Sequence, residues 1–252
     1  MKGRVFTRSM KVCSRFGVGV ALVVASSGVG KSAQTLSLAE SKSQAVYATI
    51  RAGSFATKNL STTLETRASS NPEYLRRALV KFDTQSTIPK GTSIASAILT
   101  LTVKDASGDP TRRIAAYQMT TSWTEAEVTW KDRRDGQPWG TPGGDLGSRL
   151  SIATVSNSVG SKASFDVTPL VRDAVAGKLG TSRYTRIELL DLDESTHDSW
   201  RSYYTAEASG AQRPTLTVTF GAAKPPPPTP TPPPAKPPPP PAGNGKTLRV
   251  FH

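Results

Sequence analysis

The sequence predicts an all-β domain, an antiparallel sandwich or barrel with one short helix. Three observations carry that prediction. Apolar and polar residues alternate with period two along many short runs between Val46 and Phe220, the pattern of half-buried antiparallel strands. Clusters of Gly, Pro, Ser and Asp separate the runs. Only Thr168–Ala176 carries a helical pattern with start and stop signals at its two ends.

In chain order, strands are expected at 46–51, 62–67, 76–82, 97–103, 114–120, 128–130, 151–155, 163–167, 185–190, 202–207 and 215–220. In 76–82, Ala78, Val80 and Phe82 share an inward face, whereas Arg77 and Lys81 face out. In 97–103, Leu99, Leu101 and Val103 share a face; in 215–220, Leu216, Val218 and Phe220 oppose three threonines. Turns are marked by Pro89-Lys90-Gly91, Ser107-Gly108-Asp109-Pro110 and Thr141-Pro142-Gly143-Gly144. The helix is expected to take Thr168 as N-cap, Pro169 at its first position and Gly177 as its stop. Leu170, Val171, Ala174 and Val175 would then close one end of the sandwich.

The flanks read differently. Lys2, Arg4, Arg8, Lys11 and Arg15 precede a short apolar run, FGVGVALVVA, and then small and polar residues. That layout is a secretory signal peptide, with cleavage expected between Ala25 and Ala45. The run is too short to span a bilayer comfortably, so no stable membrane insertion is expected after cleavage. Cys13, the one cysteine, falls inside this segment, which leaves the mature chain without a disulfide or a cysteine metal site. Residues 225–241 are almost all proline, an extended spacer of roughly 3.1 Å per residue. The expected division is 1–44 signal peptide and short mature segment, 45–221 sandwich, 222–247 Pro-rich linker and 248–252 the start of a further domain. The flanks are expected to carry no strand of the sandwich and to be dispensable for its folding.

Net charge is +13, which invites a nucleic-acid reading. Its distribution argues otherwise. Residues 1–44 hold 7 basic and 1 acidic residue, 45–221 hold 21 and 18, and 222–252 hold 4 and none. Most of the excess sits in the flanks, so no nucleic-acid partner is expected. A P-loop-like ASSGVGKS at 25–32 lacks the βα units that such a loop requires, and the signal-peptide reading takes precedence.

Five motifs, RRALVKFD (76–83), SWTEAEVTW (122–130), PWGTPGGD (138–145), FDVTPLVRDAV (165–175) and RPTLTVTF (213–220), follow one another in fixed order. The chain resembles the DNRLRE-type domain, carbohydrate-binding module family 96, over about 45–221. The resemblance implies a jelly-roll-type sandwich, a secreted non-catalytic role, and a polysaccharide ligand of the acidic, uronate-rich kind. The C-terminal LRVF at 248–251 resembles the first strand of endonuclease/exonuclease/phosphatase-type domains. Two alternatives therefore stand beside the binding module: a structural or adhesive spacer without glycan affinity, and the targeting half of a secreted hydrolase of that type.

Catalytic constellations are thin. The two histidines are His197 and His252. Glu125 and Glu127, two apart in an expected strand, would point the same way, whereas a glycosidase flanks its bond with two carboxylates. No enzyme activity is expected and no cofactor is predicted. Asp191, Asp193, Glu194 and Asp198 in DLDESTHDSW could ligate a structural calcium ion, or form an exposed acidic turn.

The candidate contacts with a polysaccharide are Arg77, Arg113, Trp139, Trp200, Arg201 and Tyr203. Arginine presents a planar fork to carboxylate or sulfate, and the doublets 76–77, 112–113 and 133–134 each place one member outward. Trp139 follows a proline in a Gly-rich turn and is expected to be exposed; Trp200 opens WRSYY. Trp123 and Trp130 fall on opposite faces if their run is one strand, so at least one belongs to the core. A monomer is expected.

Overall fold

The computed structural model describes residues 34–38, 45–180, 182–195 and 197–221. The strands are β1 (Thr35–Leu38), β2 (Ala45–Arg51), β3 (Glu65–Ala68), β4 (Arg76–Phe82), β5 (Ile94–Ala106), β6 (Thr111–Met119) and β7 (Asp132–Arg134). They continue as β8 (Gln137–Pro138), β9 (Leu146–Ser156), β10 (Lys162–Asp166), β11 (Thr185–Asp191), β12 (Ser199–Tyr203) and β13 (Thr215–Phe220). Helices are α1 (Thr84–Thr87), α2 (Thr168–Ala176) and single 3-10 turns at Gly53–Phe55, Pro72–Tyr74 and Gly210–Gln212.

All described pairings are antiparallel, and the fold is the expected jelly-roll-type β-sandwich. One layer runs β1-β13-β5-β10; the other runs β12-β3-β4-β11-β6-β9, with β2 along β4. The long β5 belongs to both. Its residues 94–102 pair with β13 and β10, and 103–106 pair with β12. Alternation delivers the core: Val80, Phe82, Leu99, Leu101, Ile114, Phe165, Ile187, Leu189, Leu216 and Val218 are buried together between the layers. Burying one such side chain contributes about 1.5–3 kcal/mol.

Helix α2 has the expected bounds and ends at Gly177 in the left-handed conformation, φ 79°. Its start differs from expectation. Val167 is the N-cap, so Thr168 and Pro169 occupy the first two helical positions. Asp166 Oδ1 accepts from Thr168 N at 2.9 Å, while Thr168 Oγ1 accepts from Ala97 N at 2.9 Å. The threonine thus ties the helix to β5 and the aspartate caps it.

Three strand expectations are corrected. Residues 128–130 lie in a turn, because Thr129 Oγ1 accepts from Lys131 N and Asp132 N and folds the chain back. The strand expected at 202–207 sits earlier, at β12, with Trp200 and Arg201 inside it. The N-terminal flank is not strandless: β1 pairs with β13, and the same alternation places Leu36 and Leu38 in the core.

A second, smaller core forms outside the sandwich. Residues 120–145, including the β7–β8 hairpin, fold over the outer face of β2 and β4. Trp123, Val128 and Trp139 from this segment meet Ala48, Ile50, Leu79 and Met119 from the sheet. This roof, absent from the alternation pattern, positions the candidate site.

Candidate functional site

Under the roof, outward residues of β4 acquire partners. Arg77 donates from Nε and Nη2 to the two oxygens of Glu194, both at 2.8 Å, and from Nη1 to Gly143 O at 2.9 Å. The same Nη1 lies 3.3 Å from Glu188 Oε1, and the guanidinium sits 5.1 Å from the Trp130 ring centroid. Glu188 is fully buried, and burial pushes its carboxyl up to about 8 against the opposing pull of Arg77. Gly143 and Gly144 have φ of +95° and +111° and press against Trp130 and Glu188, where a Cβ would stand 2.8 Å and 2.1 Å from them. Only glycine fits that approach.

Farther along β4 the roof stops short of the sheet and leaves a cleft of about 560 Å³. Lys81 forms part of its wall, paired in register with Val46 of β2 and Arg186 of β11. Its ammonium donates to Trp123 O at 3.0 Å and lies 4.7 Å from the Trp123 ring and 5.7 Å from the Tyr184 ring. Arg186 reaches Ser182 Oγ at 2.6 Å and sits 5.9 Å from the Tyr184 ring. Arg134, from the roof, donates to Ser122 Oγ at 3.0 Å. Glu125 is the acid among the lining residues.

The electrostatics of this cleft are those of crowded cations. Desolvation, then Arg186, lowers Lys81 to about 8, with Glu125 opposing. Arg186 is likewise lowered, by burial first and by Arg134 second. Three buried donors, Trp123 Nε1, Arg134 Nε and Arg186 Nε, have no hydrogen-bond partner. Such donors are costly to leave unmet. An anion entering between Lys81, Arg134 and Arg186 would relieve their mutual repulsion, with the Tyr184 ring beside it.

The six residues singled out from sequence do not form one site. Trp139, expected to be exposed, is 4 % exposed: it packs in the roof core and its Nε1 donates to Thr129 O at 2.9 Å. Arg201 is fully buried and donates to Trp200 O and Asp109 O at 2.8 and 2.6 Å. Tyr203 is fully buried beside Thr66, on the same side of β12 as Arg201 and within the core. Arg77 is held in the ion pairs above. Arg113 is exposed on β6 and Trp200 is half-buried on β12. Lys81, Arg134, Tyr184 and Arg186 were missed. Their signal was an outward lysine, one member of a doublet, and the i, i+2 pair Tyr184 and Arg186; sheet register sets Lys81 beside Arg186, and the roof brings Arg134 to them.

The acidic stretch is divided among arginines. Arg112 binds Asp191 bidentately at 2.7 and 2.8 Å, and Arg77 takes Glu194. Among the described residues, no group of three or more His, Cys, Asp or Glu side chains is placed to hold a metal ion. Glu125 and Glu127 lie in a turn of the roof, not in the expected strand. His197 Nε2 lies 3.1 Å from Asp109 Oδ1 on the exposed surface. No described helix is long and apolar enough to cross a membrane.

Comparison with known proteins gives one family. The model of carbohydrate-binding module family 96 matches residues 40–220. Among solved structures, the CBM22-2 xylan-binding domain of Xyn10C from Paenibacillus barcinonensis is similar at 10% identity, covering 63% of this chain and 84% of that one, with a TM-score of 0.22. No curated protein matches the chain.

Proposed function

This chain belongs to carbohydrate-binding module family 96, and from that premise we propose that it is a secreted, non-catalytic module that binds an acidic, uronate-rich polysaccharide. The cleft carries the reading. It sets three cations, Lys81, Arg134 and Arg186, beside the half-buried ring of Tyr184. Sugar carboxylates match the cations, and the apolar face of a pyranose ring matches an aromatic ring. A cleft walled by cations selects by local charge, since the described domain as a whole is close to balanced.

The leader, the proline run and the terminal LRVF lie outside the described residues apart from Gln34–Leu38. Export and a further C-terminal domain are part of the same proposal and are supported by sequence pattern alone.

Affinity electrophoresis against a polyuronate, a xylan and a neutral glucan tests the ligand. Retardation by the polyuronate should be strongest and should weaken as salt rises, because surface charge is screened over about 10 Å at 0.1 M. Lys81→Met with Arg134→Gln should weaken polyuronate binding by about tenfold or more, the scale of a lost charge-assisted hydrogen bond. If no polysaccharide retards the domain, the spacer reading replaces this one.

A further inference from the structure

We propose that the module carries a second subsite for anionic sugar groups, on a row of arginines at the opposite end and opposite face of β4. This rests on the ligand being an acidic polysaccharide but not on the cleft. Arg51 of β2 pairs in register with Arg76 of β4, Arg76 with Arg67 of β3, and Arg67 with Trp200 of β12. Strands are about 4.8 Å apart, so the three arginines span about 10 Å. Arg76 and Lys81 are five residues apart on β4, about 17 Å, and side chains an odd number apart point to opposite faces. The row shares the face of Ala78 and Val80 but lies past the end of the apolar core, where its arginines are half-buried.

Two exposed rings flank it. The Arg51 guanidinium sits 3.9 Å from the Phe55 centroid and that of Arg67 5.1 Å from Tyr74, with the rings 37% and 42% exposed. Both rings come from the paired 3-10 turns, which pack so closely that a Cβ on Gly53 would stand 2.6 Å from Glu73 O. Stacking on a ring leaves the edge of a guanidinium free for a carboxylate or sulfate.

The like charges are undercompensated. Glu65 pairs with Arg76, Glu73 lies on the adjoining turn, and exposed Asp198 is held by Ser69 and Ser70 within reach of the field of Arg67. Arg51 and Arg67 form no ion pair within the described residues. Burial, then Arg76 and Arg67, disfavours the charge on Arg51. The Nε atoms of Arg51, Arg67 and Arg76 are buried without a hydrogen-bond partner. Three cations in one row, with unmet donors and rings beside them, repeat the chemistry of the cleft on a separate surface.

Two sites on opposite faces would let one module bridge two chains of a polymer, raising avidity without a new contact. Titration calorimetry with a uronic-acid hexasaccharide, and turbidity with a long polyuronate, test this. The unaltered domain should bind about two hexasaccharides and cross-link the polymer into turbid aggregates. Arg51→Gln with Arg67→Gln should remove one binding event and the turbidity while leaving the other event intact. Lys81→Met with Arg134→Gln should remove the other. If the glutamine variant fails to fold, Tyr74→Ala, on an exposed turn, should weaken one event at least fivefold. A single binding event in the unaltered domain, unmoved by the row variants, overturns the second subsite. A single event lost only in the row variants overturns the cleft instead.

Discussion

The two outer faces of the sandwich carry similar alternating strands and end up in opposite environments. On the β1-β13-β5 layer, Thr215, Thr217 and Thr219 stand opposite Thr100, Ile98 and Ser96 and stay partly open to solvent. On the β2-β4-β11 layer the outward positions hold Ile50, Leu79, Arg77, Lys81 and Glu188, and the roof covers most of them. A bare face needs only residues that tolerate water. A covered face needs a second apolar core, a partner for every charge, and glycines where the cover presses down. The cleft exists where that cover ends, so charged groups meet there with partial burial and incomplete pairing.

Four perturbations would break or sharpen the contrast. The largest effect is expected from Trp139→Ala, which empties the roof core and should cost about 3–5 kcal/mol, read from urea unfolding. A loss below about 1 kcal/mol, the value of an ordinary substitution, would mean that the roof is merely draped on the sheet.

Next is Arg77→Met, which leaves Glu188 buried without its cation at a cost of about 3 kcal/mol. The sign with pH is fixed by the raised Glu188 carboxyl. Its contribution to stability is fully present below the ordinary value of 4.5 and is lost as pH rises through about 8. Removing Arg77 raises the carboxyl further, so the deficit of the variant should grow between pH 6 and pH 9. A deficit independent of pH would remove Glu188 from the account.

A smaller effect belongs to Lys81. Its folded value is lowered to about 8 from 10.5, so the folded state holds fewer protons in that window and stability should rise with pH across it. Polyuronate affinity should move the other way, falling as pH passes 8 and the ammonium is lost. Lys81→Arg should keep affinity level to pH 10, and Lys81→Met should abolish the stability gain. The smallest effect is expected on the bare face, where Thr217→Ala should change stability by no more than about 0.5 kcal/mol.

This contrast also explains what was legible in the sequence. Period two located β4 and β13 to the residue, because inward and outward faces there differ in polarity. The stop of α2 was readable because Gly177 is a local backbone requirement. The roof was not readable. Tertiary contact fixes it: Trp139 in a proline- and glycine-rich turn carries the composition of an exposed loop, yet it is pressed onto a sheet face by residues distant in sequence. Arg77 as an outward residue was correct for its strand and uninformative about its surroundings. Arg201 and Tyr203 were misjudged because β12 starts earlier than its composition suggests, and the two residues, two apart, share its buried side. The site residues that were missed lie on β4, β11 and the roof, and only the fold makes them neighbours.

The pairing of β1 with β13 has a mechanical side. Thr35 stands opposite Thr219, and Phe220 N donates to Gln34 O at 2.8 Å, so the described chain enters and leaves the sandwich at one corner. Tension applied through both flanks would load that ladder from its open end, one antiparallel hydrogen-bonded pair after another, rather than shearing all of them at once. Under such a pull β1 peels first and at low force, while the cleft, borne on the other layer, keeps its shape.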